Sequence, residues 1–259
     1  MDISTFGGFI LAFAVIGFGI VSSKGSVQQF INIPSVLITI VGGLAAVLTG
    51  TPLKDFLNIG KLLKLAFFNQ AFDPGATIKM LITFSEKARR EGLLALEDDV
   101  VELDDQFLKK AIQLVVDGTE PEKIKNILQT EYDYIDDRHQ IGISIFEELD
   151  ALFPAFGMIG TLIGLIIMLA NMNDKASLTS GMSVALITTL YGSIMANTFA
   201  HPVASKLKDR NNKELLIKEI MIEGTLSIQS GENPRILKDK LISFLPGDLR
   251  DKLQQEMGE

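Results

Sequence analysis

The 259-residue chain contains no cysteine. That excludes disulfide cross-links, a thiol nucleophile and a thiolate metal site. Two histidines, His139 and His201, are too few for a histidine-rich metal centre. Positive charge is also in deficit: 24 Lys and Arg stand against 32 Asp and Glu, a net charge of −8. A nucleic-acid-binding surface needs a basic face, so no nucleic-acid partner is expected. Catalytic signatures are missing as well. The glycine-rich run over residues 157–164 lacks the lysine and hydroxyl of a phosphate loop, and neither HExxH nor GxSxG occurs. The acidic run over residues 97–105 lacks the spacing of a calcium loop and reads as a solvated face. Neither an enzyme activity nor a bound cofactor is expected.

Charge is absent from four long stretches and dense between them. These stretches cover residues 3–23, 25–53, 151–173 and 176–200, with the next charge after the last one at Lys206. About 20 helical residues at about 1.5 Å each cross a hydrocarbon core of roughly 30 Å. A charge at mid-bilayer costs roughly 3 kcal/mol on insertion scales, which explains the gaps. The competing reading is a soluble protein with four fully buried core helices, and four such stretches are hard to bury in one chain. The first stretch has no basic region before it and no small-x-small site before Lys24, so it reads as a retained helix. The expected class is all-α, a polytopic membrane protein with four transmembrane helices and a helical cytosolic domain.

Lys and Arg set the orientation. The short loops hold only Lys24 and Lys175, while the other basic residues lie in 54–150 and 205–259. Both of those regions are expected in the cytosol, with both termini. The chain thus divides into a first span (1–24), a second span (25–53), a cytosolic helical domain (54–150), a third span (151–173), a fourth span (176–204) and a cytosolic helical tail (205–259). The spans form two hairpins with small external turns.

Within the cytosolic part, Asp73-Pro74-Gly75 marks a helix start, with a cap residue followed by proline in the first turn. Ile78, Leu81, Ile82 and Phe84 form its apolar stripe, and Gly92 after Lys87, Arg89 and Arg90 is the stop. A second helix is predicted over about 104–116, ending at Gly118. Thr119-Glu120-Pro121-Glu122 has capping-box spacing and starts a third. No Gly-Pro break separates that helix from the third span, so one long helix is predicted to pass from cytosol into membrane. The tail reads as a helix over about 203–230, a break at 231–234, and helical pieces near 236–244 and 248–255.

No Asp, Glu, Lys or Arg lies inside a span. An ion pathway usually needs such a group, so either there is no pathway or a partner supplies the carboxylate. Gly157, Gly160, Thr161 and Gly164 share a small-residue face in the third span. Thr188, Thr189, Gly192, Ser193 and Ala196 do the same in the fourth. Spacing leaves two readings open: close helix packing, or hydroxyl oxygens offered to a cation or water. Pro154 and Pro202 stand near the cytosolic ends of these spans, either as hinges or as simple boundary prolines. His201 beside Pro202 reads as an interface residue in preference to a proton carrier.

Several of these motifs resemble a known family. Phe153-Pro154-Ala155-Phe156-Gly157-Met158-Ile159-Gly160-Thr161-Leu162-Ile163-Gly164 is similar to the third-span signature of the MotA/PomA family, the A subunits of the bacterial flagellar stator. Ala185-Leu186-Ile187-Thr188-Thr189-Leu190-Tyr191-Gly192, with Ala196-Asn197 and His201-Pro202-Val203-Ala204, resembles its fourth span. Ala88-Arg89-Arg90-Glu91-Gly92-Leu93-Leu94-Ala95-Leu96-Glu97 resembles its cytosolic charged motif. The resemblance covers essentially the whole chain. Small-residue spans are shared with the ExbB/TolQ proteins, proton-driven energisers of outer-membrane processes and the alternative reading. Those usually have three spans and an external N-terminus.

The resemblance implies a homo-oligomer, a five-membered ring around a dimer of a single-span MotB/PomB-like subunit. That partner would supply the missing aspartate and anchor to peptidoglycan. Ion flow, of H+ or Na+, would turn the ring against a FliG-like rotor protein and so drive flagellar rotation. By motif position, Arg89, Arg90 and Glu97 would face the rotor. Pro154 and Pro202 would couple ion binding to conformational change. Thr161, Thr188 and Thr189 would line the ion path.

Overall fold

The computed structural model describes residues 3–68 and 72–256. Among the described residues all regular structure is helical. In chain order the helices are α1 (Ile3–Ser22), α2 (Ile33–Gly50), α3 (Leu53–Leu57), α4 (Ile59–Phe67), α5 (Pro74–Glu91) and α6 (Glu97–Val101). They continue with α7 (Gln106–Val116), α8 (Pro121–Ala170), α9 (Lys175–Gln229), α10 (Pro234–Ile242) and α11 (Gly247–Glu256). Four of them, α1, α2, α8 and α9, are long and apolar enough to cross a membrane.

The chain divides into two compact units. The first comprises Met1–Asn69 and His139–Asp209. Its core gathers Val47 of α2, Phe146, Leu149 and Phe153 of α8, and Ala196, Ala200 and Val203 of α9. Phenylalanine rings frame that core, with Phe9 5.2 Å from Phe67 and Phe146 6.4 Å from Phe199, centroid to centroid. The apolar window of α1 has no buried residue, so Leu11, Val15 and Phe18 stay exposed. Such surface is costly in water and at home in hydrocarbon.

The second span is shorter than its uncharged run of 25–53. A single turn of 3-10 helix, Val27–Phe30, intervenes before α2 begins at Ile33. Asn32 caps α2 by accepting the Ser35 N–H at 3.0 Å, with Pro34 in the first turn. Proline cannot donate to the preceding turn, so it fixes where a helix starts. Pro52 ends the path in the same way, after Gly50. Two π-helical segments were not foreseen. One is Leu37–Val41 in α2, where the Gly42 N–H reaches Leu37 O. The other is Met195–Ala200 in α9, where the His201 N–H reaches Ala196 O, five residues back. Pro202 follows the second segment directly. Pro154 sits inside α8, which runs on unbroken.

The second unit comprises Gln70–Arg138 and Arg210–Glu259. Its core is mostly aliphatic, with Phe84 and Phe107 alongside: Ile78 and Leu81 of α5, Leu96, Leu108 and Ile112, Ile124 and Leu128 of α8, Ile220 of α9, and Leu237 and Leu241 of α10. Each fully buried side chain of this kind contributes about 1.5–3 kcal/mol of transfer free energy. Caps set the helix starts. Asp73 accepts the Ala76 N–H at 2.9 Å at the head of α5, and Gly92 at φ 90° ends that helix. Asp105 accepts the Phe107 and Leu108 N–H groups at 2.9 and 3.0 Å at the head of α7. α8 begins one residue later than the Thr119 spacing suggests. Its first bonds, from Lys123 and Ile124, go to Glu120 O, so Glu120 holds the cap position. The predicted continuity of the helix that starts near Pro121 with the third span is observed, as α8. The predicted tail helix is the end of α9 and stops at Gln229, where Gly231 takes a φ of 67°.

Candidate functional site

α8 and α9 meet through glycine. A Cβ on Gly164 would stand 2.5 Å from Gly181 O and 2.6 Å from Ala185 N, and one on Gly192 would stand 2.6 Å from Phe153 O. Backbone therefore touches backbone, and no larger residue fits at these points. That approach places the three threonines expected to line the ion path.

They do not behave alike. Thr161 Oγ1 of α8 and Thr189 Oγ1 of α9 lie 2.5 Å apart. One hydroxyl donates to the other, and the remaining hydrogen goes to a carbonyl: that of Thr161 to Gly157 O or Ala185 O, at 3.1 and 3.0 Å, or that of Thr189 to Ala185 O at 3.3 Å. Thr189 is exposed and Thr161 half-buried. Together they form a small oxygen-rich patch on an apolar surface. Each hydroxyl has two acceptor lone pairs and one donor, so the patch can bind water, a cation or a partner's carboxyl group. Thr188 is wholly buried. Its hydroxyl donates to Val184 O at 2.8 Å, and its side chain fills the space a Cβ on Gly160 would need. Thr188 is packed inward, while Thr161 and Thr189 meet at the edge of the α8–α9 contact.

α2 backs this patch. The wholly buried Thr39, on the π segment, donates to Thr188 O at 3.4 Å. The Tyr191 hydroxyl donates to Phe30 O at 2.5 Å and accepts from the Asn32 N–H at 3.4 Å. The head of α2 is thus tied to α9. Neither contact was legible from the sequence, because no local pattern reports which turn of α2 meets which turn of α9. A third contact missed there joins the segments next to the prolines. His201 Nδ1 and Asp150 Oδ2 lie 3.0 Å apart, one residue before Pro202 and about one turn before Pro154. An ionised carboxylate only accepts, so Nδ1 carries the hydrogen and Nε2 keeps its lone pair.

The expected rotor-facing charges occupy the second unit. Arg89 and Arg90 are exposed in the last turn of α5, where they complement the helix dipole, and Glu97 is exposed in the first turn of α6. Leu96 and Val100 bury the other side of that segment. Lys87 Nζ and Asp99 Oδ2 pair at 2.7 Å and link α5 to α6. The hydrogen bond to Asp99 raises the Lys87 pKa despite some desolvation. Beneath, Lys218 of α9 holds the Asp105 carboxylate at 2.8 and 3.1 Å, with its ammonium 5.0 Å from the Phe107 ring centroid. Burial pushes the Asp105 carboxyl up. The Lys218 hydrogen bond and the Leu108 and Phe107 N–H groups outweigh it and hold the pKa below the ordinary value. Among the described residues no group of three or more His, Asp or Glu side chains is placed to hold a metal ion.

Comparison with known proteins agrees with this architecture. The model of the MotA/TolQ/ExbB proton channel family matches residues 99–220. Motility protein A of Borreliella burgdorferi is 41% identical over 258 residues, covering 100% of this chain and 99% of that protein. Motility protein A of Aquifex aeolicus is 43% identical over 256 residues, covering 98% and 100%. A chain in the structure of the flagellar MotAB stator complex from Bacillus subtilis superposes with a TM-score of 0.87 at 34% identity, covering 99% of this chain and 100% of that one. By this sequence identity along its whole length, and by four helices long and apolar enough to cross a membrane, the chain belongs to the MotA/TolQ/ExbB proton channel family of multi-pass membrane proteins, on its motility-protein side.

Proposed function

We propose that this chain is the A subunit of a flagellar motor stator, which passes ions with a single-span partner and converts their flow into torque on the rotor. The observation that carries the reading is the Thr161–Thr189 hydroxyl pair, set on spans with no ionisable group inside them. A pathway wall of this kind needs a carboxylate from elsewhere. A MotB/PomB-like dimer enclosed by a ring of five copies of this chain would supply it. The Lys and Arg distribution supports a cytosolic location for both termini and for the second unit, in a bacterial inner membrane. There Arg89, Arg90 and Glu97 are exposed for a FliG-like rotor protein. Pro154 and Pro202 mark where α8 and α9 bend as the partner's carboxylate loads and unloads. H+ is the coupling ion we favour, and Na+ is the alternative.

The deciding experiment is motility of a stator-null strain carrying this gene and its partner, as sodium is replaced by potassium at fixed pH. Swimming that is restored and indifferent to sodium supports the stator role with protons. Swimming that falls with sodium keeps the role and changes the ion. No swimming, with both proteins in the membrane, would sink the rotor-coupling reading.

A further inference from the structure

Below Thr189, every fourth residue of α9 is polar. Ser193, Asn197 and His201 follow in a span that is otherwise almost wholly apolar, and all four are exposed. In a regular α-helix such a row drifts by about 40° per step, about 120° over three steps. The π segment Met195–Ala200 takes up one extra residue and cancels roughly 100° of that drift. His201 therefore lies nearly beneath Thr189, on the same face. On α8, Asp150 precedes Thr161 by about three turns and shares its face too. Two helices thus carry matched polar groups at both levels: Thr161 with Thr189 at one, Asp150 with His201 at the other.

Between those levels the row has one free amide acceptor and borders an open cleft. Asn197 Nδ2 donates to Ser193 O at 2.9 Å, which leaves its amide oxygen to accept. Beside it lies a cleft of about 450 Å³ between α1 and α9, whose wall mixes Thr5, Thr198 and Lys206 with the apolar Phe9, Ala12 and Pro202. At about 30 Å³ per molecule that space holds on the order of ten waters.

We propose that Thr189, Ser193 and Asn197 mark a hydrated lane leading from the threonine pair to the cytosol, and that His201, oriented by Asp150, is the proton acceptor at its end. The inference rests on the channel reading above. A proton delivered by water bonds to the Nε2 lone pair. The Nδ1–H stays donated to Asp150, whose negative charge offsets the imidazolium. Nε2 then releases the proton to cytosolic water, and the pair returns to its starting state. The other charged residues within two turns along these helices are Glu147 and Glu148 on α8 and Lys206 and Lys208 on α9.

The test uses cells that express the full chain with its single-span partner, the partner's plug segment deleted, and reads the fall of internal pH after an external acid step. Asn197→Leu and His201→Ala should slow that fall about tenfold or more, while the off-row control Leu186→Val leaves it unchanged. Added imidazole should restore the His201→Ala rate, because a lost proton carrier can be replaced and lost packing cannot. Partner co-purification is measured for each variant, to hold assembly constant. Row variants that conduct like the unmodified chain would overturn the lane and leave the channel reading intact. A slow His201→Ala variant that imidazole fails to rescue would overturn the acceptor role. An unmodified complex that does not leak would overturn the channel reading itself, and the lane with it.

Discussion

Three neighbouring threonines receive different tasks from one helix packing. Thr161 and Thr189 turn their hydroxyls to each other at an open surface, and Thr188 turns inward against Gly160. Valine keeps the shape of threonine and deletes the hydroxyl. Thr161→Val and Thr189→Val are therefore expected to lower ion flux about tenfold or more, equivalent to about 1.4 kcal/mol on the barrier. Thr188→Val should conduct much as the unmodified chain does, since its hydroxyl bonds only to backbone of its own helix. Flux through the plug-deleted complex checks all three, and equal losses at 188 and 189 would refute the distinction. Gly164 offers a steric test. Its Cβ would meet backbone atoms, which cannot rotate away, so Gly164→Ala should destabilise the α8–α9 pair by about 1–3 kcal/mol. A lowered denaturation midpoint in detergent would show it.

At the scale of elements, caps and ion pairs hold the second unit's helices in register. Asp105 caps α7 and pairs with Lys218 of α9, so one carboxylate serves two elements. Asp105→Asn keeps a cap side chain but should cost about 1–3 kcal/mol, through the lost charge at the helix head and a largely buried ammonium left without its counter-charge. Thermal unfolding of the solubilised complex reads this. The sign with pH follows from the lowered pKa. The folded state binds the Asp105 proton less readily than the unfolded chain does, so the stabilisation is complete above the ordinary aspartate value. It declines as pH falls from there through the lower folded value. The Asn variant should lose that part of the acid sensitivity, and an unchanged acid profile would count against the pair.

On the scale of the whole molecule, four spans and a helical unit with exposed charges match what a torque generator needs: a wall around an ion carrier and a rigid contact surface. Arg90→Glu and Glu97→Lys should each reduce swimming severely while membrane level and ion flux stay near normal. Tethered-cell torque beside a flux measurement separates the two effects. If flux falls with torque, the charges act on assembly instead of the rotor.

Much of this was legible in the residues. Uncharged runs located the four spans, because burying a charge in hydrocarbon is costly at any position and the pattern needs no tertiary context. Asp73-Pro74 and Gly92 bounded α5, because caps and left-handed turns are local chemistry. The uninterrupted pattern after Pro121 foretold α8. The π segments, the inward turn of Thr188, and the Thr39, Tyr191 and Asp150–His201 contacts belong to tertiary structure alone. Each depends on which turn of one helix faces which turn of another. That register is set by side-chain volumes across the α2, α8 and α9 contacts, where Gly42 and Gly43 lie against Phe156 and Phe153, and no periodicity within one segment records it. The sequence by itself determined the membrane class, the span count and the family. The phase of α9, which puts His201 on the face of Thr189, was decided only when an extra residue was accommodated between them.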